Sequence, residues 1–307
     1  MAGTQDGGDR GHATGDDTVP ASPACDPVVR IAEADDPRLG DYAALTDAAL
    51  RKRYEHQHGV LIAEGPNPVR ALLDSPYALR SVLVTEERFV AVADVVDRAG
   101  VPVYVVPRPV LEELVRFRLH QGVLACGQRR PPAAPEDVVA GARSVLVLEG
   151  LNDHENLGAL FRTARGLGID GVLLAPGCAD PLYRRSVRVS MGHVLHVPFA
   201  RVPTTAAALE LLHRYGFTTV ALTPDPAVPA LGSLPPLGER VALLLGAEGP
   251  GLTAAALAGS TVTTRIAMAP GVDSLNVAAA GAIACFALSI HRRADGVNAD
   301  PAAPRDR

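Results

Sequence analysis

Lysine is nearly missing from this chain. Lys52 is the single one in 307 residues, and arginine carries almost all the positive charge. Arginine suits bidentate phosphate contacts, but a GC-rich coding sequence produces the same bias, so the shortage decides nothing. Cysteine is sparse too. Cys25, Cys126, Cys178 and Cys285 are far apart, form no CxxC pair and have little histidine nearby. That argues against a disulfide framework and a zinc site, and it fits a reducing cytoplasm. Long apolar runs are absent: the longest, Val277 to Ile290, is rich in Ala and Gly and too short to span a bilayer. The N-terminus is polar and acidic, unlike a signal peptide.

What remains is globular composition, 48% hydrophobic and 21% charged, in a chain long enough for two domains. The net charge of −5 is unevenly placed. Residues 1–41 hold nine acids against three arginines, a balance of −6, which leaves +1 on the rest. Residues 1–41 have no hydrophobic periodicity and are expected to be a disordered acidic tail. Order is expected from Tyr42. Helix patterns at Ala43–Glu55, from Asn67-Pro68, at Glu86–Arg98 and at Pro107–Phe117 alternate with strand patterns at Gly59–Glu64, Arg80–Thr85, Val101–Val106 and Gly122–Cys126. This makes residues 42–128 a small α/β domain.

Pro-rich residues 129–138 are the expected linker. Over 139–293 the alternation resumes, with strands expected at Ser144–Glu149, Gly171–Leu174, Val194–Val197, Thr218–Leu222, Val241–Leu245 and Val262–Ile266. Helices are expected at Leu157–Leu167, Leu182–Ser190, Thr205–Tyr215, Thr253–Ala258 and Leu275–Arg292. Such a pattern predicts a mostly parallel sheet with helices on both faces. A polar tail, 294–307, ends the chain.

Three polar stretches fall at predicted strand ends, where open α/β sheets bind ligands. The first is Asn152-Asp-His-Glu-Asn156-Leu-Gly158 running into Arg162 and Arg165. Asn156 can cap the helix, Gly158 permits close approach, and the two arginines share one side. The second, Gly246-Ala-Glu248-Gly249-Pro-Gly251, follows a fully apolar strand. It is neither a P-loop nor a GxGxxG dinucleotide turn, so a Rossmann-type dehydrogenase is a poor fit. The third is Arg265 to Val277, where Asp273 and Ser274 stand as N-cap candidates before a small-residue helix. Taken singly, each is most simply a capped helix or a tight loop. Together they supply Arg, Glu, Ser and Asn, with no Cys/His or Ser/His nucleophile pair.

In this order the three stretches resemble the motifs of the SpoU (TrmH) family of RNA ribose 2′-O-methyltransferases. The matching residues are Asn156-x-Gly158-x-x-x-Arg162-x-Ala164, Leu245-Gly246-x-Glu248-Gly249-x-Gly251, and Ile266-x-Met268 followed by Ser274-Leu-Asn-Val277. Ala267 departs from the proline common in relatives, without loss of a reactive group. The N-terminal stretches His58-Gly-Val-Leu-Ile-Ala-Glu64-Gly and His120-Gln121-Gly-Val look like the substrate-binding domain of the ribosomal-RNA branch.

The resemblance implies a C-terminal trefoil-knotted α/β methyltransferase domain after a small α/β RNA-binding domain. It implies a homodimer with active sites at the interface, and S-adenosylmethionine bound by the knot. Gly246, Ile266, Met268 and Leu275 match cofactor-contacting positions, and Leu222 and Thr223 are expected to line the same pocket. Arg162 is implied as the residue that activates the ribose hydroxyl, with Asn156, Glu248, Ser274 and Asn276 positioning it and the ribose. Arg51, Lys52, Arg53, Arg116 and Arg118 are candidates for gripping structured RNA, although each is equally explained as a solvated basic residue.

The function expected is methylation of a ribose 2′-hydroxyl in 23S ribosomal RNA, by a cytoplasmic enzyme that needs no metal and no membrane. The same reaction on transfer RNA, or a methylation conferring antibiotic resistance, is the alternative within the enzyme class. A non-catalytic ribosome-assembly factor would retain the fold without needing the full polar set.

Overall fold

The computed structural model describes residues 28–46 and 48–294. Two sheets organise them. The first contains β1 (Val28–Arg30), β2 (Val60–Glu64), β3 (Leu79–Thr85), β4 (Val103–Val106) and β5 (Val123–Gln128), in the order β1-β4-β3-β5-β2. The first three strands of that order run parallel, and β5 is antiparallel to both its neighbours. The second contains β6 (Ser144–Leu148), β7 (Gly171–Leu174), β8 (Phe199–Arg201), β9 (Thr218–Leu222), β10 (Val241–Leu245) and β11 (Val262–Thr264). Its order is β11-β9-β10-β6-β7-β8, and every pairing is parallel.

Alternation along β6 and β10 explains why these strands read as unbroken apolar runs. Leu146, Leu148, Leu243 and Leu245 face one layer of helices, including His154–Gly166 and Val277–Ala294. Val145, Val147, Ala242 and Leu244 face the other, including Thr205–Arg214. Both sides of a parallel sheet are covered, so neither needs polar residues.

Several boundaries differ from expectation. The expected tail is folded from Val28. β1 pairs with β4, Ile31 and Leu39 are buried, and the Tyr42 hydroxyl shares a 2.7 Å hydrogen bond with Ser81. The few apolar residues here are hidden among acids, but Val29, Ile31, Ala34 and Leu39 find places in the first domain's core. Residues 1–27 and 295–307 lie outside the described residues.

The helix expected from Ala43 begins at Ala48. Glu86–Arg98 is interrupted by a 3-10 turn at Val90–Val92. Val194–Val197 is not a strand: His193–Leu195 forms a 3-10 turn, and the strand starts at Phe199. Pro198 lacks an N–H to donate and instead accepts from Val172 N at 2.9 Å, just ahead of β8.

Residues 129–138 are not a loose tether. Arg129 is paired with Glu55 (3.3 Å) and Asp180 (2.7 Å), and Pro135–Val139 is a short helix packed on β7 and β8. The two domains share a continuous core running from Leu61 and Val84 to Leu146 and Phe161. An ion cluster, buried at Glu64 and open to solvent at Arg188, spans their contact. Glu64 at the end of β2 accepts from Arg184, and from Arg188 at 3.3 Å, on the helix Arg184–Val189. Arg184 also lies over the Phe117 ring, 4.9 Å from its centre. At the same contact, a Cβ on Gly192 would sit 2.4 Å from Ala71 Cβ, so only glycine lets the domains close this far.

Glu64→Ala leaves the 16%-exposed side chain of Arg184 buried without its carboxylate. The expected loss is about 3–5 kcal/mol, seen as a lower urea midpoint. An unchanged midpoint would mean the cluster contributes nothing to holding the domains together.

Cys285 lies on the core-facing side of the helix Val277–Ala294, and burial pushes its thiol up to about 12. The thiol is therefore protonated in the fold, and its contribution is complete below its unfolded value near 9. It is lost as pH rises from there to the folded value, at about 1.4 kcal/mol per pH unit. Cys285→Ala should flatten the alkaline limb of stability against pH; an identical limb would show that burial of the thiol is not what lowers it.

Candidate active site

The parallel sheet delivers three loops to one end. The loop after β6 leads into the His154–Gly166 helix, the loop 246–252 follows β10, and segment 265–276 returns from edge strand β11 to the last helix. The returning segment is held near its start by Leu231 N donating to Arg265 O (2.8 Å) and Arg265 N to Pro229 O (3.1 Å). At its end Asn276 meets the loop after β10.

Asn276 is the pin of this arrangement. Its Oδ1 accepts from Ala278 N (2.9 Å) and Ala279 N (3.2 Å), so Asn276, not Asp273 or Ser274, caps the last helix. That fixes which way the amide points. Its Nδ2 donates to Asn156 Oδ1 and to Glu248 Oε1, both at 2.8 Å. Three residues from three separate stretches are thus joined. Asn156 Nδ2 and Glu248 Oε2 have no hydrogen-bond partner among the described residues, which leaves a donor and an acceptor available at the cluster.

The other expected members stand apart. Ser274 is exposed in the returning segment. Arg162 is exposed on the His154–Gly166 helix, six residues beyond Asn156. On a helix that spacing turns the side chains about 120° apart and separates them by about 9 Å along the axis. Near Arg162 is His193, which the sequence reading missed. Its pKa is lowered, first by burial and then by His196, Arg162 and Arg165, which favours a neutral imidazole beside the guanidinium.

Asn156 does not cap its helix. Asp153 does, accepting from Glu155 N at 3.1 Å. Nor does Gly158 face a ligand: a Cβ there would lie 2.8 Å from Ser186 O, so this glycine serves helix packing. Gly246 is tighter still. Its Cβ would fall 2.1 Å from Gly251 C and 2.2 Å from Leu252 N, because the loop doubles back through an Ala247–Gly251 bridge. Glu149, also missed, holds this loop to the one after β6. Its carboxylate accepts from Thr253 N at 2.8 Å and from the hydroxyl of Thr205. The signal was an acid at the end of an otherwise apolar strand.

The positions expected to contact a cofactor sit around the ends of β9, β10 and β11. Leu222 ends β9 and Thr223 follows it, with Thr223 N donating to Thr264 O at 2.9 Å. Gly246 follows β10, and half-buried Ile266 and Met268 follow β11. Leu275 is 39% exposed. Glycine at 246 lets the loop fold back on its own backbone at Gly251 and Leu252, and the small and apolar residues at these strand ends suit an adenosine. Of the basic candidates, Arg53, Arg116 and Arg118 are exposed, and the side chains of Arg51 and Lys52 lie outside the described part.

Comparison with known proteins agrees with this architecture. Residues 143–286 match the SpoU rRNA Methylase family, and residues 62–130 match the family described as RNA 2'-O ribose methyltransferase substrate binding. A tRNA/rRNA methyltransferase of Mycobacterium bovis, itself uncharacterized, is 44% identical over 83% of this chain and 90% of its own. A 23S rRNA (guanosine-2'-O-)-methyltransferase of Bordetella pertussis, RlmB, is 30% identical over 73% of this chain and 94% of its own. Among solved structures, the AdoMet-bound rRNA methyltransferase from Sinorhizobium meliloti superposes with a TM-score of 0.73 at 26% identity, covering 87% of this chain and 98% of that one. The chain belongs to the SpoU family of RNA methyltransferases. No helix among its described residues is long and apolar enough to cross a membrane.

Proposed function

We propose that this protein transfers a methyl group from S-adenosylmethionine to a ribose 2′-hydroxyl of 23S ribosomal RNA. The observation that carries the proposal is the Asn156–Asn276–Glu248 cluster beside the crowded loop at Gly246. The named activity of the Bordetella relative and the separate substrate-binding domain favour ribosomal over transfer RNA.

S-adenosylmethionine, when bound, supplies a methyl already made electrophilic by its sulfonium. The protein's task is to align the ribose hydroxyl and to accommodate the charge that develops as its proton leaves. A guanidinium offers donors and no acceptor, so Arg162 acts as a clamp on the forming alkoxide and the adjoining phosphate, not as a base. Asn276 is a positioning residue, since its amide is fully engaged. Asn156 and Glu248 present the free donor and acceptor to the ribose, and Ser274, exposed on the returning segment, is assigned to contact it from that side.

Because Arg162 points away from this cluster, the complete site is proposed to form between two copies of the chain, each offering Arg162 to the other. Ile283 and Phe286, 44% and 57% exposed on one face of the last helix, favour such a dimer. Segment 265–276, threaded past the loop after β9, is proposed as the knot.

The deciding experiment supplies labelled S-adenosylmethionine and ribosomal RNA from cells lacking this gene. Label on 23S RNA at one alkali-resistant ribose is the expected result. Label on transfer RNA alone would move the substrate. No transfer together with no cofactor binding would sink the enzyme reading in favour of a binding protein.

A further inference from the structure

A second feature, away from the Asn276 cluster, faces the joint between the domains. A cleft of about 1460 Å³ runs from Asn152 and His154, just before Asn156, along β8 to the first domain at His56 and Tyr77. This exceeds the volume of ordinary small-molecule pockets, about 300–1,000 Å³, so it has room for a stretch of polymer. Its walls come from both domains, and their geometry is held by the Arg129 pairs to Glu55 and Asp180.

Aromatic and cationic groups are interleaved in the cleft. The rings of His154 and Tyr183 lie together, with centres 4.5 Å apart and planes tilted by 50°. Arg130, Arg185 and Arg201 line the same space and are exposed. Arg201 is aimed by the carbonyls of Cys178 (3.3 Å) and Ala179 (3.0 Å), which orient the guanidinium without neutralising it. Arg130 and Arg201 have no carboxylate partner among the described residues, and Arg185 has a 4.0 Å contact with the exposed Glu155. Glu55 and Asp180 are taken by Arg129, leaving Asp137 as the opposing acid at the cleft.

We infer that this cleft holds a single-stranded stretch of the RNA, with an unpaired base stacked at Tyr183 and His154 and flanking phosphates on Arg130, Arg185 and Arg201. The inference rests on the RNA-methyltransferase reading and adds a substrate subsite to it. Stacking surfaces and fixed cations together are what single-stranded nucleic acid needs, since every base has a π-face and every linkage a charge. A duplex keeps its bases stacked on each other and cannot use the aromatic pair. The cleft therefore selects target sites that lie next to an unpaired segment.

The test uses the full chain, a short unstructured oligouridine and an RNA duplex of the same length, with binding followed by fluorescence anisotropy. The single strand should bind more tightly than the duplex. Tyr183→Ala should weaken it by about tenfold or more, and Tyr183→Trp should restore it. The double variant Arg130→Glu, Arg201→Glu should weaken it further, with a salt dependence shallower by about 1.4 in log–log slope, about 0.7 for each lost phosphate contact. Affinity for S-adenosylmethionine should be the same in every variant, which also reports that the fold is intact. Failure of the wild type to bind the single strand, or undiminished binding by the variants, overturns the cleft assignment alone. Failure of the wild type to bind S-adenosylmethionine overturns the methyltransferase reading beneath it.

Discussion

Arg162→Ala should lower methyl transfer to RNA by about 10²–10³-fold, the usual effect of removing one preorganised group from a developing oxyanion. Affinity for S-adenosylmethionine should not change, because Arg162 is exposed on a helix flank away from the ends of β9, β10 and β11. Arg162→Lys keeps the charge but loses the planar fork that can hold two oxygens at once. It should recover only part of the rate, and near-full turnover in that variant would end the clamp assignment. The orientation of Arg162 away from Asn156 makes a sharper test possible. Co-expressed with a chain whose cofactor loop is broken, Arg162→Ala should regain activity. A mixed dimer has one pocket that is intact and is served by an intact arginine, so about a quarter of all sites work. No recovery would mean that Arg162 serves its own chain.

Gly246→Ala provides that broken loop and has the other large effect. The new methyl would lie 2.1, 2.2 and 2.4 Å from Gly251 C, Leu252 N and Gly251 O, all backbone atoms that cannot swing aside. The loop must open, breaking the 2.9 Å hydrogen bond from Gly251 N to Ala247 O and withdrawing Glu248 from Asn276. Calorimetry should find S-adenosylmethionine binding lost. Stability should fall by only about 1–3 kcal/mol, as expected of local overpacking, because the sheet beneath is untouched. Gly232→Ala is the control: nothing lies within 4 Å of its added carbon, so cofactor binding should persist. Retained binding in Gly246→Ala would show that the loop is not part of the cofactor site.

Which parts of this were legible beforehand follows from the range of the interactions involved. Five of the six strands in the second sheet fall where their residues predict: the inner strands β6, β7, β9 and β10 because a strand covered on both faces has a purely local signature, and edge strand β11 because its β-branched run Val262–Thr264 is equally local. The exception is β8, where the apolar residues just before it, Val194, Leu195 and Val197, carry the strand-like signal but are used in the core that the two domains share. The folded segment at Val28 was hidden for a similar reason. Its few apolar residues carry no period, and only the partner strand β4 gives them somewhere to go. Caps were misassigned where several eligible side chains crowd one turn, as with Asp153 against Asn156 and Asn276 against Ser274.

The candidate site divides along the same line. Residue types, their order along the chain and their family are properties of the sequence itself, since motifs are local spacings of side chains with a shared chemistry. The sequence also determined the strands, the covered sheet and the polar groups at strand ends, through hydrophobic period and turn residues. Only the tertiary structure decided that Asn276 joins Asn156 to Glu248, that Gly158 serves a helix contact while Gly246 closes a loop, and that Glu64 ties the domains together through Arg184. Each of these depends on a distance between segments remote in the chain, set by packing of the two domains as a whole and carried by no single stretch of sequence.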